Sequence, residues 1–410
     1  MRILISHINF PGQFRHIAEY LGRIKGNQVV FATKNPRPEW SIPGVTKAIF
    51  SPPAATGNDI HILSKGFDEG VRHGAAMLKL CLDIKNRGFI PDVILGHSGW
   101  GQTLFLKDAF PDTPFVGYFE WYFNTQSAEV LFDGRPRTEI QDAQLRMRNS
   151  TTLHDLASCH AGVTPTAWQQ AQFPPEFQSK ITQIHDGINT SYFAPADEGL
   201  LPISGLNIPG ADLTGARELV TYCARGLEPY RGFPQFYEAL PAILDARPEC
   251  HVLIVGEDRT CYSPRLPNNA SYKACMQQKI KVDQNRVHFT GPLPYGLYKQ
   301  VLQASSAHVY LTWPFVLSWS LLEAMSCGCL VVASDTEPVR EVIRFGENGL
   351  KTDFHSPEKI AKATLEALTR QTELTPLRRA ARQTILDRYC LNKCLPVHVD
   401  ILTKLAQNGP

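Results

Sequence analysis

Short apolar runs alternate along this chain with longer amphipathic stretches. RILIS (residues 2–6), QVVFAT (28–33), DVILGH (92–97) and PFVGYF (114–119) form one group, and HVLIVG (251–256), AHVYLT (307–312) and CLVVAS (329–334) form a second. Runs of this length, bounded by turn residues and lacking strict polar alternation, read as strands buried on both faces, with crossover helices between them. The pattern predicts an α/β protein with two parallel, helix-covered sheets. Between the groups, ITQIHDGINTSYFAPADEGLLPISGLNIPGADLTG (181–215) begins like a strand and dissolves into Pro, Gly and Asn. The expected organisation is an N-terminal Rossmann-like domain over 1–195, a linker over 196–216 and a C-terminal Rossmann-like domain over 217–385. A helical segment over 386–410 is expected to cross back to the first domain. Its parts read as two helices, LRRAARQTILDRY and KCLPVHVDILTKLA, with Pro396 bending or starting the second.

A chain of 410 residues, 43% hydrophobic and 20% charged, is long enough for a core in each domain. The 41 basic and 39 acidic residues leave a net charge of +2 without long single-sign runs, which argues against a nucleic-acid partner. MRILIS is too short for a signal-peptide core or a membrane span, so a cytoplasmic protein is expected. Lys65, Arg72, Lys79, Lys85 and Arg87 could touch the inner membrane face, although a solvated helix face is the simpler reading. The ten cysteines lack the paired spacing of a zinc site, with Cys390 and Cys394 the nearest approach, and no structural metal is expected.

The strand ELVTYCAR (218–225) runs through a turn with Gly226, Pro229 and Gly232 into a helix carrying apolar Phe233, Phe236, Leu240 and Ile243. Ligands of open α/β sheets lie beyond the carboxyl ends of strands, and Arg225 and Arg231 would bring two permanent cations there, suited to a diphosphate. Surface ion pairs with Glu228 or Asp258 are the competing reading. Further on, Glu323 lies between Leu321, Leu322, Ala324 and Met325. A carboxylate in such company needs a partner, either a ribose diol or a capping arginine. The helix start at Leu317–Ser320 would aim N–H groups at an anion.

With ARGLEPYRG (224–232), LLEAMSCGCLVVAS (321–334) and EPVREVI (337–343), the chain resembles glycosyltransferase family 4, the retaining group with the GT-B fold, from near residue 1 to beyond residue 390. The resemblance implies two Rossmann-like domains facing a central cleft, the first on the acceptor side and the second holding a nucleoside diphosphate sugar. It implies that Arg225 and Arg231 grip the diphosphate, that Glu323 binds the ribose, and that Glu341 lies near the sugar or behind it. Gly12, Gln13 and His7 would line the first domain's site. His97 would stand near the transferred sugar, Glu120 would meet an acceptor hydroxyl or pair with an arginine, and His185, Asp186 and Gly187 would line the hinge. VHFTGPLP (287–294), with Gly291 and Leu293, would pack the nucleobase. Two positions depart from the family pattern. Arg231 stands where lysine is usual, and Phe315 stands where the first Glu of the Glu pair normally holds donor-sugar hydroxyls. FVLSWS also lacks the usual glycine loop, so Ser318, Trp319 and Ser320 would supply the donors.

The implied chemistry is transfer of a sugar from a UDP- or GDP-sugar to a hydroxyl acceptor, a glycan, glycolipid or small molecule, with retention. The cations would stabilise the departing diphosphate, and neither a metal nor another cofactor is expected. No pair of carboxylates argues for glycoside hydrolysis. A non-catalytic nucleotide-sugar or glycan-binding protein and a sugar-nucleotide epimerase are the alternatives.

Overall fold

In the computed structural model, which describes residues 1–54, 59–197 and 199–408, each of these apolar runs is a strand of one of two all-parallel sheets. The chain divides into two compact units, Met1–Gly187 with Asn392–Pro410, and Ile188–Leu391. Glu198 of the expected linker and the last residues, Gly409 and Pro410, lie outside the described residues.

The first unit holds β1 (Arg2–Ser6), β2 (Gln28–Thr33), β3 (Val45–Ile49), β4 (Val93–His97), β5 (Phe115–Tyr118), β6 (Ala161–Thr164) and β7 (Ile181–Gln183), in the order β3-β2-β1-β4-β5-β6-β7. β1 is central, its Leu4 registered with Val30 on one side and Ile94 on the other. Because side chains alternate between faces, Ile3 and Ile5 enter one core with Phe14, Leu21, Val93 and Leu95, while Leu4 enters another with Met77, Ile94 and Phe115. The helix Leu391–Asn408 supplies Cys394 and Leu402 to the first of these cores. Pro396 lies one turn inside that helix rather than at its start, early enough that little of the backbone ladder is lost.

The second unit holds β8 (Glu218–Gly226), β9 (Cys250–Glu257), β10 (Val287–Gly291), β11 (Ala307–Tyr310), β12 (Val331–Ser334) and β13 (Leu350–Thr352), in the order β10-β9-β8-β11-β12-β13. The segment read as a linker belongs to this unit. Ile188, Phe193 and Ile208 are buried in its core, and Leu201, Ile203, Leu206 and Leu213 pack on them. Arg382 secures the start of this passage by donating to Thr190 O and Phe193 O. Pro and Gly punctuate the passage, but enough aliphatic side chains lie between them to anchor it.

In each sheet the strand order reverses beside the first strand, between β1 and β4 and between β8 and β11. Loops leaving the carboxyl ends of such a pair diverge, which opens a crevice at that edge. The loop after β4 approaches the helix Lys65–Asn86 so closely that a Cβ added to Gly101 would sit 2.3 Å from Gly70 Cα, and Gly101 has φ +85°. Among the described residues no helix is long and apolar enough to cross a membrane. The basic residues of Lys65–Asn86 do not form one free face, since Arg72 pairs with Asp68 at 2.9 Å and Lys85 donates to Ala109 O.

Substituting Gly101 with alanine adds both the backbone strain and the clash, and should cost on the order of 2–4 kcal/mol. Urea denaturation, read as a lowered midpoint with unchanged slope, measures it.

Candidate functional site

At the first unit's switch point, the loop after β1 brings His7, Gly12 and Gln13 beside His97 at the end of β4. Gly12 has φ +51°, and a Cβ there would fall 2.6 Å from the His7 ring, so the approach requires glycine. His7 Nδ1 accepts from the Asn9 N–H at 2.8 Å, which leaves Nε2–H to donate to Gln13 Oε1 at 2.8 Å. Gln13 Nε2 in turn donates to Glu120 Oε1 at 3.1 Å, just beyond β5. His97 is fully buried, stacked on Trp100 at 4.4 Å and edge-on to His7 at 4.7 Å. Burial, with His7 adding to it, holds its pKa well below the ordinary value, so the ring is neutral. Its Nδ1–H points to the Ser98 carbonyl oxygen at 2.8 Å. Nε2 is therefore a bare, buried acceptor without a hydrogen-bond partner, 3.8 Å from Glu120 Oε2. Two facing acceptors call for a donor between them, and a hydroxyl is the simplest.

At the second unit's switch point, Arg225, the penultimate residue of β8, is exposed and enters no ion pair among the described residues. Arg231 is placed differently. Its guanidinium is buried, with Nη1 donating to Thr312 Oγ1 at 2.7 Å and to Val316 O at 3.0 Å, so it ties the loop after β8 to the loop after β11. That second loop leads into the helix Trp319–Ser326, where Ser318 is the N-cap and its Oγ accepts from the Ser320 N–H at 3.3 Å. One turn on, buried Glu323 takes a hydrogen bond from Tyr298 Oη at 2.9 Å, a phenol rather than the arginine weighed above. Its other oxygen has no partner among the described residues. Burial raises this carboxyl to about 7.

Two families fit these halves. The description "Glycosyl transferase family 4 group" matches residues 25–193, and "Glycosyl transferases group 1" matches residues 212–384. The chain belongs to the glycosyltransferases, which the two models match over most of its length. An uncharacterized glycosyltransferase of Methanocaldococcus jannaschii is 33% identical over 85 residues, 20% of this chain and 22% of that protein. The chain thus matches about a fifth of the length of that relative. Among solved structures, sucrose-phosphate synthase from Thermosynechococcus elongatus superposes with a TM-score of 0.74 over 99% of both chains at 16% identity. The Anabaena protein HepE in complex with UDP-glucose superposes with a TM-score of 0.69 over 99% of this chain and 100% of that one, at 15% identity. A Rickettsia africae glycosyltransferase gives 0.70 at 16% identity, covering 99% of each chain. At such identities the likeness establishes the fold, the two-domain GT-B architecture.

The remaining residues expected at a glycosyltransferase site are dispersed. Gly291, with φ +67° and open space around it, ends β10 at the far edge of the second sheet, and half-buried Leu293 follows it. Glu341 follows the turn of helix after β12, where its carbonyl oxygen accepts from Arg388. His185 lies beneath the last helix, its carbonyl oxygen 3.2 Å from His398 Nε2, and burial drives its pKa down to about 3. Asp186 hydrogen-bonds buried Tyr118.

Two buried acids were not legible in the sequence. Glu228 is fully buried, with Oε2 accepting three successive N–H groups from Cys261, Tyr262 and Ser263 at 2.8–2.9 Å. It anchors the loop after β9 and pairs with neither arginine. Asp155 is also fully buried, and its Oδ2 takes hydroxyl hydrogen bonds from Ser98 and Thr103, both at 2.6 Å, which bracket the loop after His97. The partners are 57 and 52 residues away. Only a short polar signal, Ser98 and Thr103 beside a strand end, could have pointed to them.

Burial raises the Asp155 carboxyl from 3.8 to about 7. Between those values folding takes up a proton, so stability falls as pH rises through the window and levels off above about 7. Asp155→Asn should flatten the decline of the melting temperature between pH 5 and 8 without abolishing it, because Glu323 contributes a parallel slope. Thermal scans of both proteins across that range test this.

Proposed function

We propose that the protein transfers a sugar from a nucleoside diphosphate sugar, with UDP or GDP as carrier, to a hydroxyl acceptor, with retention and without a metal. The observation that carries the reading is the second unit's switch point. There an exposed, unpaired guanidinium stands at the end of β8, and a helix N-terminus and a buried carboxylate with one open oxygen belong to the helix that follows the adjacent strand β11. Arg225 and the N–H groups at Ser318–Ser320 would stabilise the charge that develops as the diphosphate departs. Glu323 would accept from the ribose diol. In the first unit, neutral His97 Nε2 would accept a sugar hydroxyl beside Glu120, with Gln13 and His7 holding Glu120 in place. Arg231 acts on the diphosphate indirectly, by fixing the loop that leads to the helix.

Retention follows from front-face attack, in which the bond from the anomeric carbon to the phosphate oxygen breaks as the acceptor oxygen bonds to that carbon, and the phosphate oxygen takes the acceptor's proton. The electron pair of the broken bond leaves on the diphosphate, and no protein nucleophile is required. Sucrose-phosphate synthase and UDP-glucose-bound HepE, with the same architecture, support this reading.

In a thermal-shift screen, one class of UDP-, GDP-, ADP- or TDP-sugar should raise the melting temperature equally with and without EDTA, and Arg225→Ala should lose the effect. Loss of the shift in EDTA would overturn metal independence, and no shift with any class would favour a non-catalytic role. The affinity for that nucleotide sugar should also rise between pH 6 and 8. Ionised Glu323 accepts hydroxyl hydrogen bonds more strongly than its protonated form, and it ionises near 7. Calorimetry on Glu323→Gln should show the rise abolished.

A further inference from the structure

The carboxyl edge of the second sheet holds a group of aromatic side chains that the proposed transfer does not use. Tyr230 follows β8, Tyr262 follows β9, and Trp313 and Phe315 follow β11, so the group spans the three strands around the switch point. Tyr230 stacks on Trp313 with centroids 4.3 Å apart and planes 17° from parallel. Phe315 meets Tyr230 edge-on at 5.5 Å and Tyr262 at 5.2 Å. The Arg231 guanidinium lies over Tyr262 at 5.3 Å. Trp313 and Phe315 are 8% and 7% exposed, whereas Tyr262 is 39% exposed.

The charge in this wall is of one kind. Arg231 donates hydrogen bonds and accepts none. The acid closest in sequence, Glu228, commits Oε2 to three backbone N–H groups, and its Oε1, which has no hydrogen-bond partner among the described residues, is buried and closed to solvent. Phe315 stands eight residues before Glu323, where the family resemblance implies a carboxylate that accepts from donor-sugar hydroxyls. A sugar hydroxyl pressed against these rings would lose its hydrogen bonds to water and gain no strong acceptor. A methyl group or a bare C–H face would instead bury apolar area against the ring faces.

We infer that this aromatic wall selects the donor sugar, and that the sugar presents to it a methyl group, on a deoxy carbon or on an N-acyl substituent, in place of a free hydroxyl. The inference rests on the second unit's switch point being the donor site. Apolar walls discriminate modestly, so the expected preference is about 10–100-fold.

Calorimetric titration separates the two layers. Free UDP and GDP come first, followed by matched pairs on the carrier that binds: UDP-N-acetylglucosamine against UDP-glucose, and GDP-6-deoxymannose against GDP-mannose. The methyl-bearing member should bind about 10–100-fold tighter, and the pair that shows it distinguishes an acyl from a deoxy sugar. Phe315→Glu should reverse the preference, and Tyr262→Ala, which removes an exposed ring, should shrink it even if the first variant fails to fold. Free nucleotide binding with an equal or stronger response to the hydroxylated sugars would overturn this inference alone. Failure of every free nucleotide to bind would overturn the donor reading, and this inference with it.

Discussion

A parallel strand cannot return to its neighbour without a crossover of a dozen or more residues, so every strand of each sheet delivers its chain to the same edge. Both sheets here are wholly parallel, and that polarity determines where chemistry can be assembled. His7, Gln13, His97 and Glu120 come from three strands of the first sheet, and Arg225, Tyr262 and Phe315 from three of the second. They gather at the carboxyl edges because no other edge receives the outgoing loops. Crossovers in two directions from β1 and from β8 then separate the loops enough to leave a crevice.

Around each crevice the polar groups fall into two kinds. Arg231, Glu228 and Asp155 are buried and spend their hydrogen bonds on backbone and hydroxyl groups of neighbouring loops. Arg225 and His97 keep donors or acceptors that the protein leaves unused. Each of the first kind bonds to neighbouring loops, which converts flexible loops into fixed ones, although Glu228 Oε1 and Asp155 Oδ1 stay buried without a hydrogen-bond partner among the described residues. Two arginines six residues apart, which look equivalent on paper, thus differ in bonding, Arg231 being held by Thr312 and Val316 and Arg225 exposed.

Much of the architecture was legible in the sequence because strands buried on both faces are written as unbroken apolar runs. The edge strands β3, with Thr46 and Lys47, and β13, with Lys351, were harder to see because one side of each is partly polar. The packing of the passage over 196–216, expected as a linker, on the second unit's core was not legible, because Pro and Gly mark turns but say nothing about whether the aliphatic residues between them are buried. In the site, Arg225, Ser318 and Glu323 could be read because each sits in a local strand-turn-helix motif. Glu228 and Asp155 could not, since a carboxylate's partners 33 to 57 residues away follow from topology and not from spacing.

The helix Leu391–Asn408 gives Cys394 and Leu402 to the core around β1, yet along the chain Ile188–Cys390 separates that helix from the rest of the first unit. On the ribosome, the second unit emerges whole before the first has its last piece. The first unit's core is therefore completed only after the whole second unit has been made, and until then the face of its sheet that receives Leu402 stays open to water.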